Sequence, residues 1–285
     1  MRLGREYDIN QLRDYSSLFS RCEVAKWYKN DLSSLRMKVD RYDSSLIKRR
    51  HSYLSYLRYV YRVLERFYPN EYVYKNEFIS KWLLQEIGVI DSIVFSEFRL
   101  GKAVADLAMF NGVSKVFEIK TLLDKEARLN NQLEQYGQLF NEVYLIVPEV
   151  KSHQYMKRDI STGIIIYSHA ANSFSLIRQP QRNEQINVDV LMQVLHTHEY
   201  VTLVEQYFGE RPKFHDFNKF QICKELMRQI PMHALSKQFV ELMKSRRMHN
   251  VFSKEESQLN QLFLSMNYSA TQKHQLLSNL NTTIS

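Results

Sequence analysis

Three side chains near the middle of the chain have the types and the spacing for phosphate chemistry. Asp106, Glu118 and Lys120 lie in residues 104–121, VADLAMFNGVSKVFEIKT, a stretch that is otherwise apolar and β-prone. Isolated charges in such a setting are costly, because desolvation disfavours the ionised form. Two carboxylates held side by side also repel, and one keeps its proton unless a cation joins them. A hard divalent ion such as Mg²⁺ takes oxygen ligands and keeps several waters. A lysine one step along the strand could steer a phosphate or a metal-bound water. The expectation is a site for metal-dependent phosphodiester hydrolysis, with Asp106 and Glu118 holding the ion and Lys120 stabilising developing charge.

The strands that carry these residues must bring them to one face. Side chains alternate along a strand, so Glu118 and Lys120 point one way and Phe117 and Ile119 the other. Asp106 joins them only in one register. A two-residue turn at Asn111-Gly112 pairs Phe110 with Val113 and sends the two carboxylates to opposite faces. A three-residue loop, Asn111-Gly112-Val113, or a bulge sets Asp106 opposite Glu118, and Gly112 suits the left-handed position of such a loop. The spacing therefore predicts against the simple Asn-Gly hairpin. Glu97, on the preceding β-prone run, either lies beside Asp106 as a further ligand or pairs with Arg99 or a nearby lysine.

Around this pair the pattern reads as α/β. Residues 71–88 fit a helix with Phe78, Ile79, Trp82 and Leu83 inward and Gly88 near its end. β-prone runs follow at 92–98, 105–110 and 114–121. A helical stretch comes next, with Leu129, Leu133, Tyr136 and Phe140 on one face. Apolar runs at 143–147 and 163–168 suit central strands, and 174–178 adds another. The order is helix, three strands, helix, strand, then more strand, with antiparallel and parallel pairing. Residues 41–68 place Leu46, Leu54, Leu57, Val60, Tyr61, Leu64 and Phe67 on one face of a long helix ended by Pro69-Asn70. Residues from about 188 to 282 read as several helices. The expected divisions are 1–70 helical, 71–180 α/β core and 181–285 helical.

The set Asp106, eleven residues, then Glu118-Ile-Lys120 resembles the PD-(D/E)XK nuclease superfamily, the restriction-endonuclease-like fold, whose core has the same element order. Gln132-Leu-Glu-Gln-Tyr136 is similar to the QxxxY motif of its RecB-like and Cas4-like branch, and the stretch from Ser96 to Val147 looks like a largely uncharacterised bacterial branch. The resemblance covers about residues 71–170. It implies that Gln132 and Tyr136 face the site, and that the backbone carbonyl of Ile119 is a further metal ligand. It also implies a metal-linked or supporting role for Glu77, although an acid near a helix N-terminus also favours the helix dipole. The proline of the superfamily's name is absent, since Ala105 precedes Asp106. The implied activity is a Mg²⁺-dependent nuclease, with Mn²⁺ able to substitute, acting on nucleic acid and on DNA first. The product would carry a 5′-phosphate. Phage defence or mobile-element biology is the implied setting, and a homodimer is one assembly the resemblance allows.

Composition is consistent with that chemistry. The chain of 285 residues carries a formal net charge of +8. Residues 1–70 hold 15 Lys/Arg against 8 Asp/Glu, residues 71–209 hold 13 against 17, and residues 210–285 hold 11 against 6. Basic flanks attract polyanions by counterion release. Arg58, Arg62 and Arg66 recur every four residues and make a candidate phosphate-facing stripe; a solvated helix face gives the same pattern. Cys22 and Cys223 form no CxxC pair and read as buried apolar residues rather than nucleophiles. His196 and His198, two apart in a helical pattern, are not expected to bind a metal. No apolar leader or membrane-length run is present, so a cytosolic protein is expected. The competing expectation is a catalytically silent module on the same fold that binds nucleic acid or protein through its helical flanks.

Overall fold

The structure is a computed structural model that describes residues 6–87, 91–124, 127–157 and 161–284. Its first helices are α1 (Ile9–Ser17), α2 (Arg21–Tyr28), α3 (Ser33–Tyr42), α4 (Tyr53–Phe67) and α5 (Glu71–Phe78), which runs through a π turn, Ile79–Leu83, into α6 (Leu84–Ile87). Three strands follow, β1 (Ile93–Leu100), β2 (Ala103–Phe110) and β3 (Ser114–Ile119), then α7 (Leu129–Gly137), β4 (Glu142–Pro148), α8 (Ser152–Met156), β5 (Gly163–Ser168) and β6 (Ser173–Arg178). The remaining helices are α9 (Val188–Val194), α10 (Thr197–Phe208), α11 (Lys219–Met227), α12 (Met232–Ser245), α13 (Asn260–Met266) and α14 (Ala270–Leu280). Gly88 lies outside the described residues. Among the described residues no helix is long and apolar enough to cross a membrane.

The chain divides into two compact units. One is Met1–Leu84 with Thr121–Leu123 and His249–Ser285; the other is Gln85–Lys120 with Asp124–Met248. The three consecutive segments read from the sequence are thus regrouped. The C-terminal helices split between two cores, because α9 to α12 pack on the sheet while α13 and α14 pack with the N-terminal helices.

In the all-helical unit, α4 buries Leu54, Leu57, Val60, Tyr61 and Leu64 as its spacing requires. Phe67 is an exception: it is exposed and rests against Tyr7, with ring centroids 5.2 Å apart. The single helix expected over 41–68 is broken. A 3-10 turn, Ser44–Arg49, intervenes, and Arg50 takes a left-handed φ of +49°. The cause is tertiary. Asp43 is buried and accepts hydrogen bonds from Tyr15 (2.5 Å) and Tyr56 (3.1 Å). Ser52 bridges to Thr283, and the Ile284 N–H donates to the His51 carbonyl at 2.8 Å. These contacts are stronger constraints than the weak helical propensity of Ser44, Ser45 and Ser52.

In the other unit a mixed six-stranded sheet runs β1-β2-β3-β4-β5-β6. β1, β2 and β3 form an antiparallel meander, β3, β4 and β5 are parallel, and β6 returns antiparallel to β5. The fold is α/β, and the order helix, three strands, helix, strand holds over residues 71–148. An aromatic cluster joins sheet to helices: Phe110 meets Phe239 edge-on at 5.4 Å and Phe98 meets Phe140 at 5.6 Å. Buried Asn141 accepts from the Ser114 N–H at 3.0 Å and donates to the Asn183 carbonyl at 2.9 Å, which fixes the start of β3 beside β4. Cys223 is buried as expected, whereas Cys22 is exposed on the first turn of α2.

One acid in this unit yields a pH prediction. Glu199 in α10 is buried and receives both Nε and Nη2 of Arg246 at 2.7 Å, and the His196 N–H at 2.7 Å. Burial pushes its pKa up, but the guanidinium and the backbone N–H pull it further the other way, to a net value below the ordinary 4.5. A carboxyl with a depressed folded pKa contributes stability above its unfolded pKa and loses it as pH falls through the folded one. The stability gap between the parent and Arg246→Met is therefore expected to be full at pH 7, to begin shrinking as pH falls below the ordinary carboxyl value of 4.5, and to close once the pH is below the depressed folded value. Urea unfolding across that range checks it; a gap that does not change with pH refutes the assignment.

Candidate catalytic site

The β2–β3 loop decides whether the carboxylates meet. Phe110 pairs with Ser114 and Leu107 with Phe117, so the loop is the three residues Asn111-Gly112-Val113, with Gly112 at φ +97°. The two-residue Asn-Gly turn is not formed. One step further along this register, Asp106 stands directly opposite Glu118, and residues paired in this way point to the same face.

Side-chain contacts confirm that convergence. Asp106 Oδ2 accepts the backbone N–H of Ile119 at 2.7 Å, just where the β2–β3 ladder ends. Lys120 Nζ lies 2.7 Å from Glu118 Oε1 and also donates to Gln132 Oε1 at 3.3 Å. The Tyr136 hydroxyl donates to Glu118 Oε2 at 2.8 Å and lies 3.1 Å from the Val104 carbonyl, which shares the one hydrogen. Gln132 and Tyr136 are four apart on α7 and so share a side of that helix. Burial and the negative charge and hydrogen bond of Glu118, with the charge of Asp106 added, push the Tyr136 pKa far above that of a free phenol. Tyr136 is therefore a neutral donor throughout the physiological range. Glu118 is only 3% exposed. Both of its oxygens are held, by a lysine and by a tyrosine.

Glu97 falls between the pairs Ser96↔Leu107 and Phe98↔Ala105, which puts it opposite Asp106 in the strand register. Positions 97, 106 and 118 therefore form one row across β1, β2 and β3. Glu97 is exposed and has a left-handed φ of +56°. That conformation costs a non-glycine residue on the order of 1–2 kcal/mol. No sequence signal marked this strain.

Glu77, Arg58, Arg62 and Arg66 lie in the all-helical unit. The Glu77 carboxylate is buried and accepts from Tyr61 at 2.5 Å, with Lys81 Nζ 2.6 Å from its second oxygen. Arg58 is 3.6 Å from Glu256, and the Arg66 guanidinium lies 5.2 Å above the Phe67 ring. Arg58 and Arg62 line a cavity in that unit. His196 precedes α10 as its cap, and its ring stacks on that of His198 with centroids 5.9 Å apart.

Among the described residues no three His, Cys, Asp or Glu side chains are grouped to hold a metal ion by themselves. Two facing carboxylates are nevertheless a donor set that suits a small hard cation, because Mg²⁺ keeps several waters and is commonly bound by one or two carboxylates. The Lys120 ammonium on Glu118 already offsets part of the negative charge.

Comparison with known proteins adds a family and little else. The family model described as bacteriophage P4 protein cII matches residues 65–267. No curated protein matches. A solved structure of a protein of unknown function from Silicibacter pomeroyi is 14% identical, covering 49% of this chain and 93% of its own, with a TM-score of 0.32.

Proposed function

The chain belongs to the family of bacteriophage P4 protein cII, and for it we propose a divalent-metal-dependent nuclease that hydrolyses phosphodiester bonds of nucleic acid, DNA being the first substrate to test. One observation supports this reading above the others: Asp106 and Glu118 share a face at the end of a strand pair, with Lys120 bound to Glu118. The element order and the Gln132–Tyr136 spacing are those of the PD-(D/E)XK nucleases that the sequence resembles.

Asp106, Glu118 and the Ile119 carbonyl would hold the ion. When bound, it would polarise the phosphate and lower the pKa of the attacking water. The chain's own groups prepare that site. The Ile119 N–H fixes the Asp106 carboxylate, and Tyr136 fixes Glu118, so both acids are oriented before substrate arrives. Lys120, held by both Glu118 and Gln132, supplies a positive charge for a non-bridging phosphate oxygen as charge builds on phosphorus. Attack in line, with departure of the 3′ oxygen, leaves the phosphate on the 5′ side.

The test is incubation of plasmid and end-labelled oligonucleotide DNA with Mg²⁺, with Mn²⁺ and with EDTA. Cutting is expected with either ion and not with EDTA, and Glu118→Ala and Lys120→Ala abolish it. Equal cutting by the variants would identify a contaminant. Absence of cutting with DNA binding retained would replace the enzyme by a binding module.

A further inference from the structure

The all-helical unit contains a cavity of about 310 Å³ lined by Leu46, His51, Ser55, Tyr56, Arg58, Tyr59 and Arg62. Four of these, Ser55, Arg58, Tyr59 and Arg62, recur at steps of three and four along α4, so one side of that helix forms the wall. It is the side turned away from buried Leu54, Leu57 and Leu64. The lining contains two guanidiniums, an imidazole and three hydroxyls, of which that of Tyr56 donates to Asp43, and no carboxylate. The nearest acid to Arg58 is Glu256 at 3.6 Å, and Glu256 is also held by the Ser253 hydroxyl at 2.5 Å. Two contacts fix the rim: the His51 carbonyl accepts the Ile284 N–H, and the Tyr59 hydroxyl lies 2.9 Å from that of Tyr7. Leu46 and the ring of Tyr56 add an apolar wall.

Such a lining suits an anion and leaves room beyond it. Guanidiniums bind phosphate oxygens in pairs of parallel hydrogen bonds, and two of them approach a phosphate from different directions. A diester presents two non-bridging oxygens and one charge, whereas a monoester presents three oxygens and nearly two charges. Several donors converging on one cavity match the monoester. The volume lies at the lower end of small-molecule sites, roughly 300–1,000 Å³, and exceeds what a bare phosphate fills. The tyrosine rings and Leu46 can cover a sugar and base.

We propose that this cavity binds the 5′-phosphate monoester of a nucleotide, carried on the end of a nucleic-acid strand. Naming a strand end rests on the nuclease reading; the monoester chemistry does not.

The experiment uses the full chain with Glu118→Gln, so that cutting is removed, in EDTA. Fluorescence anisotropy follows a 3′-labelled single-stranded DNA 12-mer bearing either a 5′-phosphate or a 5′-hydroxyl. The phosphorylated strand is expected to bind at least about tenfold more tightly, a difference of roughly 1.4 kcal/mol. Arg62→Ala, at an exposed position, is expected to erase that preference without moving the melting temperature, and Arg62→Lys to restore part of it. Equal binding of the two strands by the parent, or a preference that survives Arg62→Ala, overturns the site. Competition by deoxyadenosine 5′-monophosphate separates the sources: failure to displace the strand supports a strand-end ligand, and displacement at the strand's own affinity overturns it in favour of a free nucleotide. A 5′-phosphate preference in a protein that never cuts DNA would leave the cavity standing and remove the nuclease. Cutting without that preference would do the reverse.

Discussion

Asp106→Asn is expected to slow DNA cleavage by roughly a thousandfold while leaving thermal unfolding within about 2 °C of the parent. The two halves of this expectation come from different atoms. The asparagine amide keeps an oxygen that can accept the Ile119 N–H, the 2.7 Å contact that closes the strand end. Glu118 keeps both its partners, Lys120 and Tyr136. The fold therefore loses little. The substitution removes one of two negative charges from the face where a cation would sit, and a ligand that helps supply several kcal/mol of charge stabilisation is worth about three orders of magnitude in rate. Single-turnover cleavage of a labelled duplex, beside a melting curve, reads both quantities. A variant that cuts within tenfold of the parent means that Asp106 holds no ion needed for the reaction.

The second large effect is on stability. Lys120→Met is expected to destabilise the sheet-containing unit by about 3 kcal/mol. Glu118 is almost wholly buried, and Lys120 is the cation hydrogen-bonded to it, beside the neutral Tyr136 hydroxyl. Removing one member of a buried ion pair leaves the other uncompensated, which is far costlier than replacing both. The double variant Glu118→Gln with Lys120→Met should therefore recover much of the loss, because a neutral amide can still accept from Tyr136. Probe choice matters. Trp27 and Trp82 both lie in the all-helical unit, so tryptophan fluorescence reports on the wrong half. Far-UV circular dichroism in urea and hydrogen exchange of β2 and β3 amides report on the right one. A cost below about 1 kcal/mol would show that water screens the pair as it does at a surface.

The sheet was largely legible in the sequence because its strands are short apolar runs whose character does not depend on distant partners. β5 matches its predicted limits, and the other strands differ at their ends by at most two residues. The register of Asp106 and Glu118 was legible too, since the two candidate loops lead to opposite faces and only one gives the acids company. What sequence could not give was set by contacts across the chain. Asp43 looks like one more charge on a helix face, yet two buried tyrosines capture it and end the periodicity there. The left-handed turn at Glu97 has no glycine to announce it. The arginine stripe is a helix face, as its spacing requires, but the spacing did not show its neighbours: Arg66 lies over Phe67, while His51, Ser55 and Tyr59 join Arg58 and Arg62 around a cavity. Their three- and four-residue spacing was present, but without charge it resembled ordinary polar helix.

The discontinuity of the all-helical unit has a consequence for biogenesis. Its core needs Leu262, Phe263, Leu276 and Leu280 alongside α1 to α4, and these leave the ribosome some 200 residues after the first helices. The sheet-containing unit between them is complete earlier, and units generally fold as they emerge. The N-terminal helices must therefore wait, with apolar faces uncovered, until translation has passed residue 280. A released chain truncated after residue 250, which keeps the whole sheet-containing unit, should resist protease over the strands and be cut readily within α1 to α4.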